Sequence, residues 1–269
     1  MNRRRGRPRV PVVVLVPALL AIAFFVLPIV GLASRVPWSE LRRLVSDDAS
    51  REALGLSLIT SLTATVIATL FGLPLAWLLA RVQFPGRRLV RSICTLSMVL
   101  PPVVAGVALL AALGRRGVVG ARLDAWFGLA LPFSTPAVVI AQVFVAMPFL
   151  VLTVESAIVA TDPTVEEAGR TLGASPFYLF SRVTLPSVRP AIVAGMVLTW
   201  ARALGEFGAT ITFAGNFPGT TRTLPIATYL ALESDIDQAL LMSLVLVAVS
   251  MAVLISMSDR WTGVVGGRR

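Results

Sequence analysis

The sequence predicts an all-α integral membrane protein with six transmembrane helices. Of its 269 residues, 56% are hydrophobic and only 14% are charged, and the mean hydropathy is +0.84. Soluble globular domains contain about 25% charged residues. Six apolar stretches also approach or exceed the ~20 residues that a helix needs to cross a bilayer, and the charged residues are concentrated between them.

The six predicted spans cover residues 10–32, 54–80, 92–113, 135–160, 191–214 and 239–257. Five arginines precede the first stretch, as in a secretory signal peptide, but this stretch is longer than the 7–15 residues of a signal-peptide core. We therefore expect an uncleaved first helix. In the third span, Pro101 and Pro102 remove two consecutive amide donors and predict a kink. The partly apolar loops 114–134 and 215–238 could hold short surface or re-entrant helices.

The arginines indicate the orientation of the chain. All 24 basic residues are arginine, and the formal net charge is +10. Fifteen of them lie in one alternating set of polar segments, which includes both termini and residues 161–190, and eight lie in the other set. Because arginine-rich loops stay in the cytoplasm, this set is predicted to be cytoplasmic. The charge follows topology, so we expect no nucleic-acid partner.

The missing residue types exclude several kinds of chemistry. Histidine and lysine are absent, and Cys94 is the single cysteine. Without lysine the chain has no P-loop, and without histidine or a cysteine pair it has no common zinc site, no Ser-His-Asp triad and no disulfide. The chain is therefore predicted not to be an enzyme, and any ATP hydrolysis must occur in another chain.

Residues 161–190 form a polar segment that carries the signals of two short helices. Asp162 can cap a helix that begins at Pro163, and Gly173 suits the left-handed position that ends it. Ser175 and Pro176 repeat the cap-plus-proline start of a second helix, which Leu185-Pro186 would close. Four residues fall on one face of the first helix: Val165, Ala168, Gly169 and Leu172.

The spacing within this segment resembles a known signature. Glu167-Ala168-Gly169 is followed after three residues by Gly173, and after nine more by Val183-x-Leu185-Pro186. This pattern is similar to the EAA signature of bacterial ABC importer permeases, with Gly169 in place of alanine and Val183 in place of isoleucine. The resemblance implies a type I importer permease fold with cytoplasmic coupling helices that dock on an ATPase. The implied coupling residues are Glu167, Ala168, Gly169, Gly173, Leu185 and Pro186. An ordinary cytoplasmic linker with helix caps is the alternative.

The fifth predicted span contains two charged residues. On a continuous helix one face would hold Thr199, Arg202, Glu206, Thr210 and Phe213. A charge near the centre of a transmembrane helix costs about 2.5–3.5 kcal/mol, and Arg202 and Glu206 can pair because they are four residues apart. The first four residues are candidates for lining or gating a translocation pathway, and a purely structural ion pair is the alternative. Glu155, near the end of the fourth span, is expected to reach the membrane interface.

Two further segments refine the resemblance. Residues 201–210 and 213–216 are similar to permeases of the oxyanion branch, and residues 218–227 are most similar to molybdate permeases. A sulfate or tungstate permease is the alternative, and a membrane enzyme or a scaffold is disfavoured. The implied domains are residues 1–53 (N-terminus, first helix and outer loop), 54–257 (type-1 permease core) and 258–269 (cytoplasmic tail).

The same resemblance implies an assembly in the bacterial plasma membrane. Two copies of the chain would form the pathway, and each would bind one of two cytoplasmic ABC ATPase subunits. An extracytoplasmic protein would deliver the oxyanion. ATP and Mg would be bound by the ATPase, and no cofactor is expected in this chain.

Overall fold

The computed structural model describes residues 11–40 and 47–265, and all regular secondary structure in those ranges is helical. The helices are α1 (Val12–Arg35), α2 (Asp48–Arg81), α3 (Arg87–Val99), α4 (Pro102–Leu113), α5 (Gly120–Phe127), α6 (Thr135–Val159), α7 (Thr164–Thr171), α8 (Pro176–Leu179), α9 (Leu185–Ser187), α10 (Arg189–Leu204), α11 (Gly208–Ala214), α12 (Leu224–Ser234) and α13 (Ile236–Val265). The all-α prediction is confirmed. The N-terminal arginine cluster, residues 41–46 and the last four residues of the predicted tail lie outside the described residues.

Among the described residues, four helices are long and apolar enough to cross a membrane. They are α1, α2, α6 and the Ile236–Ile255 part of α13, which correspond to the first, second, fourth and sixth predicted spans. A fifth candidate is the segment Pro176–Ser187 taken together with α10, although a 77° bend separates the two parts. The count of six spans therefore stays a prediction. The last helix continues to Val265, into the predicted tail.

The third predicted span is broken completely rather than kinked. α3 ends at Val99, Leu100 and Pro101 are extended, and α4 begins at Pro102. The two prolines lack the amide hydrogens that would continue the ladder of α3, and Pro101 also favours an extended conformation at the preceding residue. The fifth predicted span is also broken, between Leu204 and Gly208.

The two breaks lie against each other. A Cβ atom on Gly208 would be 2.5 Å from Pro102 Cβ, and a Cβ atom on Gly106 would be 2.5 Å from Thr212 Cβ. α4 and α11 therefore approach so closely that only glycine fits at these two positions. The chain places two interrupted apolar segments side by side in the fold.

α6 is the central helix, packed between α2 and α10. The face of α2 towards α6 is built from small residues, among them Ala64, Ala68 and Gly72, which are buried. A Cβ atom on Gly72 would be 3.1 Å from Leu150 Cδ2, and one on Gly195 would be 2.9 Å from Leu150 Cδ1. Small side chains allow close helix approach in membrane proteins, where burial of apolar surface from water supplies no driving force between helices.

Both predicted outer loops contain a short helix. In loop 215–238, α12 packs on α2 and α13, and the amide of Leu224 donates a 2.6 Å hydrogen bond to Ser57 Oγ. This bond satisfies one of the free amides at the start of α12. In loop 114–134, α5 ends with the exposed side chains of Trp126 and Phe127.

Candidate functional site

The polar segment 161–190 folds into short helices, with small differences from the predicted ends. α7 begins at Thr164 rather than at Pro163, and Asp162 Oδ1 accepts a hydrogen bond of 3.0 Å from the Thr164 amide. Hydrogen bonds donated by Thr164 lower the pKa of Asp162, which favours the ionised carboxylate at the start of the helix. Gly173 follows α7 with a φ of 84°, as its predicted left-handed position requires.

The second helix of this segment is less regular than predicted. Ser175 Oγ accepts the Tyr178 amide at 3.2 Å, so the predicted cap is present. α8 then passes into a π-helical turn at Phe180–Thr184, and Leu185 and Pro186 lie in the single turn α9, before the 77° bend into α10. π-Helical turns insert an extra residue and are frequent at functional sites.

Gly169 makes the closest contact between the two short helices. A Cβ atom there would lie 2.5 Å from Leu179 Cδ2. The other apolar residues of the predicted face do not pack beside it, because Val165 is 61% exposed and Leu172 is 88% exposed. Of the four residues on this helix face, only Gly169 therefore packs closely against the second helix.

The outer surface of this segment is apolar although nothing in the described chain covers it. It consists of Val165, Leu172, Phe177 and Tyr178, and we call it the loop surface. Glu167 and Ala168 are exposed on the same helix, α7. Exposed apolar patches with polar residues around them are typical of protein interaction sites.

Glu166, which the sequence did not single out, holds this segment to the end of α2. It is 4% exposed. Its Oε1 lies 3.1 Å from Arg81 Nε and accepts a 3.0 Å hydrogen bond from Thr184 Oγ1, while Arg81 Nη2 also donates to Thr161 Oγ1 at 2.8 Å. The end of α2, α7 and the π-helical turn thus meet at one carboxylate, and Arg81 joins Thr161 to the same cluster. The contact between Arg81 and Glu166 is not visible in the sequence, because 85 residues separate them. The sequence feature that could have drawn attention to Glu166 is its i,i+4 spacing from Arg170.

Glu155 was expected to reach the membrane interface, but in the structure it has a charged partner. It is buried and forms an ion pair with Arg91 of α3. The same arginine donates from Nε to Glu155 Oε1 at 3.0 Å. A buried carboxylate is stabilised by such a charged partner, so this pair joins α3 to the end of α6.

The predicted pair in the fifth span is present, but it spans a helix break. Arg202 Nη1 lies 2.7 Å from Glu206 Oε2, and Glu206 is 1% exposed. Its other oxygen, Oε1, accepts the Ala209 amide at 2.8 Å. Glu206 therefore caps the start of α11 while it neutralises an arginine at the end of α10.

The five predicted residues do not share one continuous helix face. Thr199 and Arg202 belong to α10, Thr210 and Phe213 belong to α11, and Glu206 lies between the two helices. The hydroxyls of Thr199 and Thr210 are buried and have no hydrogen-bond partner among the described residues. Gln142 of α6 is in the same situation and was not anticipated. Buried polar groups without partners are costly and require an explanation.

A helical, strongly apolar chain with two interrupted segments and an exposed helical loop belongs to the class of membrane-embedded transport subunits. The family described as "Binding-protein-dependent transport system inner membrane component" matches residues 72–268, and the chain belongs to that family. This membership confirms the predicted importer permease, a multi-pass membrane protein whose ATPase is a separate subunit.

Transport permeases from several bacteria are similar to most of the chain. A "Molybdenum transport system permease protein ModB" of Mycobacterium tuberculosis (strain ATCC 25618 / H37Rv) is 44% identical over 247 residues, which cover 92% of this chain and 93% of the relative. The protein of the same name from Escherichia coli (strain K12) is 40% identical over 218 residues, or 81% of this chain and 95% of the relative. A "Sulfate transport system permease protein CysW" of Synechocystis sp. (strain ATCC 27184 / PCC 6803 / Kazusa) is 41% identical over 182 residues, or 68% and 66%.

Solved structures confirm the fold class. A chain of a bacterial ABC transporter involved in the import of the acidic polysaccharide alginate superimposes with a TM-score of 0.71 at 19% identity, covering 93% of this chain and 94% of that one. A chain of the MetNI methionine ABC transporter in an inward-facing conformation gives 0.59 at 19% identity, with 81% and 99% covered. Identities this low support the fold alone.

Proposed function

We propose that this chain is the membrane-spanning permease subunit of an ATP-driven importer that carries molybdate into the cytoplasm. The observation that supports the substrate is the similarity to molybdenum permeases, 40–44% identical over most of the chain. The sulfate permease matches a smaller part of both chains, so sulfate is the second candidate. In this proposal two copies of the chain form the pathway, and an extracytoplasmic protein supplies the anion.

The loop surface is the proposed contact with the ATPase. It exposes apolar side chains and Glu167 on helices that Gly169 packs tightly together. The Glu166 contacts fix these helices to the end of α2, so a force applied at the loop surface would reach the membrane helices directly. The ATPase would bind ATP and Mg, and the loop and both termini would lie in the cytoplasm.

The proposed pathway element is the junction of α10 and α11, with Thr199, Arg202, Glu206 and Thr210. Arg202 can offset the loss of hydration of a dianion, and Glu206 prevents that arginine from holding the anion too tightly. The hydroxyls of Thr199 and Thr210, which have no partner among the described residues, can donate hydrogen bonds to an oxyanion. A structural role for Glu206, supported by its hydrogen bond from Ala209, is compatible with this one.

Substrate identity is tested by uptake in a bacterial strain whose own molybdate and sulfate permeases are deleted. The chain is expressed with its ATPase and binding protein, and accumulation of molybdate, tungstate and sulfate is measured separately. We expect molybdate accumulation that depends on the chain and resists excess sulfate. Chain-dependent sulfate accumulation without molybdate accumulation would identify the sulfate permease instead.

A further inference from the structure

A cavity lined by arginine lies at the turn between α2 and α3. Its volume is about 420 Å³. The lining residues are Gln83, Phe84, Gly86, Arg87, Arg88 and Arg91. This cavity is separate from the loop surface and from the junction of α10 and α11, and the proposed transport function assigns it no role.

Two of the three arginines are held in place by the surrounding helices. Arg87 Nε donates to the Leu79 carbonyl at 2.7 Å, near the end of α2, where helix carbonyls have no helical partner. Arg91 is oriented by its ion pair with Glu155. The carboxylate of Glu155 neutralises the charge of Arg91. Within the described residues the acceptors of Arg87 are backbone carbonyls, those of Leu79 and Ala80, so its positive charge is not neutralised there.

Arg88 is the third arginine that lines the cavity. It is exposed and forms no ion pair or side-chain hydrogen bond within the part of the chain that the structure describes. The cavity therefore presents two uncompensated positive charges, one fixed and one able to adjust. Such an arrangement suits a phosphate group, which accepts several hydrogen bonds from guanidinium groups.

An apolar stripe extends from the cavity along α3. Leu89, Ile93, Leu96 and Val99 are separated by four, three and three residues, so they lie on one side of the helix, and all four are exposed. In a membrane protein an uncovered stripe of this kind contacts acyl chains. Positive charge at one end of the helix and apolar surface along it match a molecule with an anionic head and hydrocarbon tails.

We propose that the cavity binds the phosphate headgroup of an anionic phospholipid, whose acyl chains lie along the apolar stripe of α3. The turn belongs to the segments predicted to be cytoplasmic, and the cytoplasmic leaflet carries anionic lipid that basic segments attract. A free oxyanion shares the phosphate chemistry but cannot use the stripe. The lipid would fix the orientation of α3, which Arg91 and Glu155 join to the central helix α6.

The test uses the full-length chain purified in a mild detergent, with native mass spectrometry to count bound lipids. Phosphatidylglycerol is compared with phosphatidylcholine of the same acyl chains, and inorganic phosphate and molybdate are added as competitors. We expect phosphatidylglycerol to bind in preference to phosphatidylcholine, and Arg88→Gln to weaken its binding about fivefold, the effect of one basic residue near an anionic membrane. Arg122→Gln removes an exposed arginine of α5, which lines neither this cavity nor the apolar stripe; it is the matched control and should change nothing.

Four results would overturn the proposal. Equal binding of the two lipids would show that the arginines do not select an anionic headgroup. Unchanged phosphatidylglycerol binding in Arg88→Gln would exclude this cavity as the lipid site. Complete displacement of the lipid by millimolar phosphate or molybdate would identify a site for free anions. The measurement is repeated with the co-purified ATPase, and loss of bound lipid there would assign the surface to a subunit interface. None of these outcomes depends on which anion the importer carries.

Discussion

Removal of the Glu166 carboxylate should loosen the helical segment 161–190 without unfolding the membrane helices. In Glu166→Ala, Arg81 loses a charged partner at 3.1 Å. Thr184 loses its acceptor at 3.0 Å and keeps only the Leu179 carbonyl at 3.3 Å. Breaking a buried ion pair costs about 3–5 kcal/mol. Arg81 keeps its hydrogen bond to Thr161, and the distant contact with Arg170 at 3.9 Å contributes little. We therefore expect a loss of about 3 kcal/mol in the local stability of α7.

Hydrogen exchange of the full-length chain in detergent measures this local opening. A loss of about 3 kcal/mol corresponds to roughly a hundredfold faster exchange of the α7 amides when opening is a rapid equilibrium. Glu166→Gln keeps one acceptor oxygen and should show a smaller increase. The control is Glu167→Ala, one position along the same helix but exposed; exposed substitutions usually change stability by less than about 0.5 kcal/mol. Equal exchange of α7 in the two alanine variants would refute the role given to Glu166.

Three other experiments test the remaining assignments. Gly173→Val should reduce ATPase co-purification or stimulation, because a β-branched residue at a φ of 84° is strained by about 1–3 kcal/mol, whereas Gly173→Asn should be tolerated better; equal behaviour of both in a pull-down would contradict the assignment. Arg202→Leu combined with Glu206→Leu should abolish molybdate uptake while the complex still assembles; normal uptake would leave the pair a structural role, since apolar replacement of such pairs is often neutral. In a cysteine-free background, a cysteine at Ser234 should react with an impermeant thiol reagent on whole cells and a cysteine at Ser175 should not; the reverse pattern would overturn the predicted orientation.

Apolar stretches and cap residues predicted much of the fold, because both act locally. The first, second, fourth and sixth stretches became long helices, and Gly173 and Ser175 took their predicted conformations. The two breaks were harder to anticipate. Pro101-Pro102 predicted a kink. The structure has a full break there, and Pro102 packs closely against Gly208 of the second broken segment. Nothing in the hydrophobic pattern around Glu206 marked the second break.

The candidate site was predictable only where its residues are neighbours in sequence. Arg202 and Glu206 are four residues apart, and their pairing followed from helical spacing. The contacts of Glu166 with Arg81 and of Glu155 with Arg91 join helices that are distant in the chain. A single sequence carries no record of such contacts, so nothing in the sequence distinguishes the role of Glu166 from that of its neighbour Glu167.

Leu150 limits which parts of the protein can move. Its two methyl groups fit against Gly72 on one side and Gly195 on the other, and its own Cα would be 3.2 Å from a Cβ atom on Gly195. A shift of either α2 or α10 along α6 would therefore disturb the same leucine, and close-packed interiors transmit such strain. These three helices should travel as one rigid body when the transporter changes state. The flexing is then left to the two adjacent breaks at Pro101 and Glu206, where no continuous hydrogen-bond ladder resists it.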